Sequence, residues 1–298
     1  MSAAKHRALL ALRWPVDLTL TVASHGWVSL APWQWDPETG RLSRVEKVDG
    51  QLGQITVEQR GPTGVIVEWE GFVAVAEPEV VSRVRRWLSV DWEPAGAIAA
   101  LPELAGLIER GGGRMLRGSS FYEDFVKTVL TINANWPATR RMAAALVEEP
   151  GYGGFPGPTA VLDYGETRLR ERAKLGFRAR TIIAATRRML DDGAITAAGH
   201  GIADRLAHEY LLTLGGIGPY AAAHCRVLLH DFSRIPIDSS VVAYTRSQYG
   251  CDPAEFAADR SDWGPYLALG YRMLRLRDKL ADAAREIRMI DQAANRPA

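Results

Sequence analysis

Apolar and polar positions alternate early in the chain and recur at helical spacing later. Leu18-Thr19-Leu20-Thr21-Val22 and Gln54-Ile55-Thr56-Val57-Glu58 alternate, and Val65-Ile66-Val67-Glu68-Trp69 is rich in β-branched and aromatic residues. Turn-forming clusters separate these runs at Asp36-Pro37-Glu38-Thr39-Gly40, Asp49-Gly50 and Gly61-Pro62-Thr63-Gly64. The spacing predicts an antiparallel sheet of up to five strands between about residues 8 and 76, with Leu18–Val22 as one strand. A helix is expected from Glu77 to Leu88.

From about residue 95 onward the pattern is helical. Helices are predicted over 95–110, 120–132, 137–149, 158–162, 166–173, 177–191, 203–212, 219–230, 239–248, 253–259, 263–274 and 278–292. Breaks fall at Gly111-Gly112-Gly113, between Pro150 and Pro158, and between Gly215 and Gly218. The expected fold class is α+β: an N-terminal antiparallel β-rich domain over 1–94, then a larger all-α body over 95–298.

Composition narrows the function classes. Two cysteines, Cys225 and Cys251, exclude a disulfide scaffold, a Cys-rich zinc site and a four-cysteine iron–sulfur cluster. The six histidines show no metal-ligand spacing. No apolar run approaches the roughly 20 residues of a membrane span. Met1-Ser2-Ala3-Ala4-Lys5-His6 lacks the apolar core of a secretion signal. A cytoplasmic monomer with no membrane partner is expected.

Net charge is +1, from 36 basic and 35 acidic residues, too balanced for a protein that coats nucleic acid nonspecifically. The balance is uneven, however. Arg168, Arg170, Arg172, Lys174, Arg178, Arg180, Arg187 and Arg188 are opposed in that stretch only by Glu171. Charge alone reads them as a solvated helix face; a surface for a polyanion is the alternative.

The most informative stretch is Leu212-Thr213-Leu214-Gly215-Gly216-Ile217-Gly218-Pro219-Tyr220. Glycines supply positive φ and leave backbone N–H groups uncovered. Pro219 suits the first position of the next helix, where no N–H is needed. Uncovered N–H groups at a helix start can hold a phosphate without reading a base.

Together with Ile235-Pro236-Ile237-Asp238-Ser239-Ser240, this stretch resembles the helix-hairpin-helix, Gly/Pro-rich, Asp signature of DNA glycosylases. Asp238 lies 18 residues after Tyr220, the separation that in the endonuclease III branch links the lyase lysine to the aspartate. Lys174-Leu175-Gly176-Phe177-Arg178-Ala179-Arg180 is similar to a segment of 3-methyladenine glycosylase II and 8-oxoguanine glycosylase. So are Trp263-Gly264-Pro265-Tyr266, the run from Phe121 to Asn135, and Gly153-Gly154-Phe155-Pro156. The N-terminal β region also fits that branch.

The resemblance implies base-excision repair: hydrolysis of the N-glycosidic bond of a damaged base, alkylated by preference, flipped from double-stranded DNA. Asp238 becomes the catalytic carboxylate, whereas its position alone suits a helix cap. Tyr220 stands where a lysine would form a Schiff base, which implies excision without strand cleavage. Tyr220, His224, Trp263 and Tyr122 become candidates for the base pocket, each equally readable as core. Gly216, Ile217, Gly218, Ser240 and Arg178 become DNA contacts. Asn133 and Asn135 belong to the wedge that fills the vacated stack, or to an ordinary loop capped by Asn135. The backbone carbonyls of Leu212, Leu214 and Ile217 match ligands of a structural sodium or potassium ion; no other cofactor is expected. An oxidised-guanine or mismatched uracil/thymine glycosylase is the alternative enzyme. A non-catalytic helix-hairpin-helix DNA-binding protein is the alternative class.

Overall fold

In the computed structural model, which describes residues 5–48, 50–72 and 77–294, the alternating stretch forms one antiparallel five-stranded sheet. The strands are β1 (His6–Ala11), β2 (Trp33–Asp36), β3 (Arg41–Val48), β4 (Gln51–Gln59) and β5 (Gly64–Glu70), in the order β1-β5-β4-β3-β2. Val57 sits at the centre, opposite Leu42 on β3 and Val67 on β5. One sheet face carries Leu42, Ile55, Val57 and Val67 into the core, as alternation requires. Of the turn expected at Asp49-Gly50, Gly50 has φ +78, and Asp49 lies outside the described residues.

Leu18–Val22 is not a strand but a short helix, α1. Asp17 caps it, its carboxylate accepting the Leu20 N–H at 2.9 Å, and Thr21 Oγ1 donates to the Asp17 carbonyl at 2.8 Å. Four of its five residues are buried, so the polar members of the alternation do not mark a solvent face. Local capping therefore overrides the period-two signal.

The helices that follow are α2 (Glu77–Trp87), α3 (Ala95–Ala100), α4 (Ala105–Glu109), α5 (Phe121–Thr131), α6 (Trp136–Glu148), α7 (Pro158–Tyr164) and α8 (Glu166–Glu171). Then come α9 (Arg178–Asp191), α10 (His208–Leu212), α11 (Pro219–Val227), α12 (Ser239–Tyr249), α13 (Pro253–Ala258) and α14 (Leu267–Ala294). Three expectations change. The helix expected over 95–110 breaks at a 3₁₀ turn, Pro102–Leu104, because proline cannot continue the ladder. The helix expected over 203–212 is a 3₁₀ turn followed by α10. The two expected over 263–274 and 278–292 are a 3₁₀ turn, Ser261–Tyr266, and one continuous α14, which has no Gly or Pro after Gly270.

Sheet and helices share one hydrophobic core. Helix α5 runs through it, buried at every position from Phe121 to Leu130. A buried ion cluster fastens the sheet to this helix. Arg44 on β3 grips Glu123 with two hydrogen bonds of 2.9 Å each, and Lys127 adds a third at 2.7 Å. Burial pushes the Glu123 carboxyl up, but Arg44 and Lys127 outweigh it and hold it well below the usual range. Removing one partner would strand a charge in the core. Among the described residues, no helix is long and apolar enough to cross a membrane, and no group of three or more His, Cys, Asp or Glu could hold a metal ion.

Candidate active site

Helices α11, α12 and α14 converge on the segment from Ala23 to Trp27 and enclose a cleft of about 350 Å³. That volume falls within the roughly 300–1,000 Å³ of small-ligand sites. Asp238, Tyr220, His224 and Ser240 all line it, so four of the residues singled out from sequence meet in one place.

Asp238 is the cap of α12. Its Oδ1 accepts the N–H groups of Ser240 and Val241 at 2.9 Å each, and the Ser240 hydroxyl at 2.7 Å. Its Oδ2 has no hydrogen-bond partner among the described residues. Capping and chemistry are therefore compatible: one oxygen holds the helix, and the other remains available.

Tyr220 is the second residue of α11, its hydroxyl 3.2 Å from Thr131 Oγ1 at the end of α5. Burial raises its pKa, which keeps the phenol protonated. His224, one turn along, lies parallel to it at 5.9 Å between ring centroids. Trp27 is 5.0 Å from His224, and His25 is 4.7 Å from Trp27. The Trp27 indole donates to Asp124 at 3.2 Å, and Asp124 is itself bound by the Gly118 N–H at 2.7 Å and by Arg86 at 2.6 Å. The aromatic wall is thus anchored to the buried polar cluster on α5.

Arg272 of α14 crosses the base of the cleft, its Nη2 3.3 Å from His224 Nδ1 and its Nη1 3.5 Å from the Ser24 carbonyl. Burial lowers the pKa of both His224 and His25, the latter to about 3, and the Arg272 charge adds to the effect. Both imidazoles are neutral. Arg275, one turn further, donates to Ser240 Oγ at 3.2 Å and to the Tyr271 hydroxyl at 3.0 Å.

Other expected site residues lie elsewhere. Tyr122 is fully buried inside the helical body, its hydroxyl 2.8 Å from Thr186 on α9, and does not reach the cleft. Trp263 packs its ring on Gly270, where a Cβ would stand 2.3 Å away, and also lies outside the cleft. Arg178 is buried, donates to the Ile132 carbonyl and lies 4.5 Å from the Phe177 ring, so it ties α9 to the end of α5 and faces no open surface. Arg168 and Arg170 are engaged within α7 and α8, Arg172 pairs with Glu149, and Arg188 with Asp192. Of the eight basic residues, only Lys174, Arg180 and Arg187 are without a partner among the described residues. Apart from the buried Arg178, the stretch is an exposed face whose ion pairs lie in solvent.

Asn135 caps α6, accepting the Ala138 N–H at 2.9 Å. Asn133 is exposed in the left-handed region, with φ +50. The loop reaches the cleft through Trp136, whose indole donates to Ser29 at 2.9 Å.

Residues 213–218 join α10 to α11. Gly216 has φ +86, and a Cβ there would meet Thr181 Oγ1 at 2.7 Å, so this position requires glycine. Gly218 differs: its φ is −99, and a Cβ would meet nothing within 4 Å. The carbonyls of Leu212, Leu214 and Ile217 lie along the same turn, where Leu214 already accepts the Ile217 N–H at 3.0 Å.

Sequence reasoning missed His25, Trp27, Arg272, Arg275 and Lys279. The first two sit in a stretch read as sheet. The last three recur at helical spacing on one face of α14, a signal that periodicity could have found.

By sequence, no protein-family model and no curated protein matches the chain. By structure, the chain has the fold of DNA glycosylases. It is similar to 3-methyladenine DNA glycosylase from Archaeoglobus fulgidus, with TM-score 0.67 and 18% identity over 90% of this chain and 97% of that one. It is similar to the 8-oxoguanine glycosylase/lyase of Clostridium acetobutylicum in its apo form, with TM-score 0.67 and 15% identity over 92% and 98% of the two chains. The same enzyme in complex with double-stranded DNA containing cytosine opposite 8-oxoguanine gives TM-score 0.64 and 15% identity over 94% and 99%. The likeness includes the N-terminal sheet as well as the helical body.

Proposed function

We propose that the protein is a base-excision DNA glycosylase that hydrolyses the N-glycosidic bond of a damaged base and leaves an abasic site. The observation that carries this reading is Asp238: a helix-capping carboxylate with one unpaired oxygen, lining an aromatic cleft large enough for a flipped base. The fold shared with DNA glycosylases supports it. Capping alone would account for one oxygen of Asp238, and the second oxygen, left unpaired in the cleft, is what favours chemistry over a DNA-binding role alone.

Bond cleavage develops positive charge on the sugar at C1′. Asp238 Oδ2 lies opposite that charge and orients the water that adds to it. Tyr220, at the position of the lyase lysine, has no amine and forms no Schiff base. The turn at Gly216–Gly218 holds a phosphate on backbone N–H groups, in the manner of a helix-hairpin-helix motif, and Ser240 flanks it. Asn133 and Asn135, with Trp136 beside them, fill the stack that the flipped base leaves. The carbonyls of Leu212, Leu214 and Ile217 are the ligands for a structural sodium or potassium ion, because Leu214 keeps a second lone pair. The protein acts as a cytoplasmic monomer on double-stranded DNA.

The resemblance favours an alkylated base, for which Tyr220 offers an aromatic ring in the cleft. Oxidised guanine and mismatched uracil or thymine are the alternatives. The test is incubation with duplexes bearing methylated adenine, hypoxanthine, a uracil mismatch or 8-oxoguanine, followed by alkali. Strand breaks that appear only after alkali are expected. No release of any base would overturn the reading.

A further inference from the structure

Three side chains of the cleft wall each hold a buried nitrogen without a partner: His25 Nδ1, His224 Nε2 and Arg272 Nε. A buried polar group left unpaired costs about 1–3 kcal/mol. Three such groups in one wall signal a site completed by something that enters it.

The neighbouring contacts fix what each nitrogen offers. His25 Nε2 lies 2.7 Å from the Leu116 carbonyl and must donate to it, so in the neutral ring Nδ1 is an acceptor. His224 Nδ1 accepts from Arg272 Nη2 at 3.3 Å, so its Nε2 carries the proton and is a donor. Arg272 Nε–H is a second donor, and its charge is permanent. The wall therefore holds two donors, one acceptor and a fixed positive charge; all three nitrogens are covered, and a turn of the side chains that carry them brings them to the cleft surface. Arg272 is held by long contacts of 3.3 and 3.5 Å, which an entering group can replace.

We propose that His25, His224 and Arg272 read a neutral lactam edge, a ring carbonyl next to a ring N–H, on the flipped base. The carbonyl accepts from His224 and Arg272, and the ring N–H donates to His25. Hypoxanthine, uracil and 8-oxoguanine present such an edge. A 3-methyladenine nucleotide presents none, and its positive charge is placed against the Arg272 guanidinium. This assignment rests on the glycosylase reading for its substrate, and it moves the preferred base away from cationic alkylated purines.

The experiment separates edge from charge. Single-turnover excision is measured on duplexes carrying hypoxanthine (neutral, lactam), ethenoadenine (neutral, no lactam), 7-methylguanine (cationic, lactam) and 3-methyladenine (cationic, no lactam). Binding of Asp238→Asn to the hypoxanthine and ethenoadenine duplexes gives a readout that needs no chemistry. Hypoxanthine is expected to exceed ethenoadenine and 3-methyladenine by at least tenfold. Arg272→Met, checked for native melting, is expected to erase most of that ratio, and Arg272→Lys to restore part of it. If 3-methyladenine or ethenoadenine is preferred over hypoxanthine, or if Arg272→Met leaves the ratio unchanged, the lactam assignment is overturned and the glycosylase reading stands. If no base is released but binding still prefers hypoxanthine, the glycosylase reading falls and the recognition assignment stands. If neither release nor binding preference is seen, both fall.

Discussion

Asp238 and Ser240 are joined twice through a single carboxylate oxygen, which accepts both the N–H and the hydroxyl of Ser240 while its twin accepts nothing among the described residues. Asparagine caps a helix about as well as aspartate. Asp238→Asn is therefore expected to keep its melting temperature and its affinity for duplex DNA while losing excision by about 10²-fold or more. Asp238→Ala is expected to lose the cap as well, at about 1 kcal/mol. Single-turnover kinetics beside thermal melts check the pair. Near wild-type cleavage by the asparagine variant would remove Asp238 from the chemistry.

Strand cleavage is expected to be absent, because the residue after Pro219 is a tyrosine whose protonated hydroxyl points to Thr131. Borohydride trapping on a lesion duplex should give no covalent adduct. Lys279 is the one lysine lining the cleft among the described residues, so an adduct that disappears in Lys279→Gln would instead assign it as a nucleophile.

Gly216 and Gly218 separate folding from binding. Gly216→Ala puts a Cβ in the left-handed region against Thr181 and should cost about 1 kcal/mol or more of stability. Gly218→Ala meets open space at an ordinary φ, so the melting temperature should hold. Its DNA affinity should fall, because the methyl group stands where a phosphate would approach. Equal DNA affinity for Gly218→Ala and wild type would remove the phosphate role of this turn.

Arg178 is expected to contribute to stability and not to DNA binding. It satisfies the buried Ile132 carbonyl, so Arg178→Ala should lower stability by about 1–3 kcal/mol and leave the salt dependence of DNA affinity unchanged. Arg275 and Lys279 stand at the cleft beside Ser240. Removal of either should flatten log affinity against log salt by a slope of about 0.9. The reverse outcome would restore the basic stretch as the DNA surface.

Periodicity carried the architecture because strands and helices bury different faces, and the meeting of Tyr220, His224, Asp238 and Ser240 was legible from two local motifs. What was not legible depends on packing between distant segments. Tyr122 and Trp263 are aromatic like Trp27, and nothing local reveals that Thr186 and Gly270 claim the first two while the third faces the cleft. Arg178 looked free because its partner is a backbone carbonyl, which leaves no trace in side-chain composition. His25 and Arg272 are 247 positions apart and meet only through the fold.

The two neutral imidazoles give stability a defined pH dependence. Burial, aided by Arg272, holds His25 at about 3 and His224 well below the ordinary value, with Lys127 also acting on His25 and His25 on His224. A free imidazole titrates near about 6.5. Between about pH 6.5 and 3 the unfolded chain therefore binds more protons than the folded one, so stability rises with pH and falls on acidification. Each such histidine contributes at most about 1.4 kcal/mol per pH unit in that window. Burial pushes the carboxyls of Glu46 and Asp124 up, which acts in the opposite direction, so the slope must be read against a variant. Melting curves between pH 7.5 and 5 are expected to shift downward with acid, and those of His224→Gln to shift less. Parallel slopes for the two proteins would mean that His224 titrates alike in the folded and unfolded chain, and its ring could then no longer be taken as neutral below about pH 6.5.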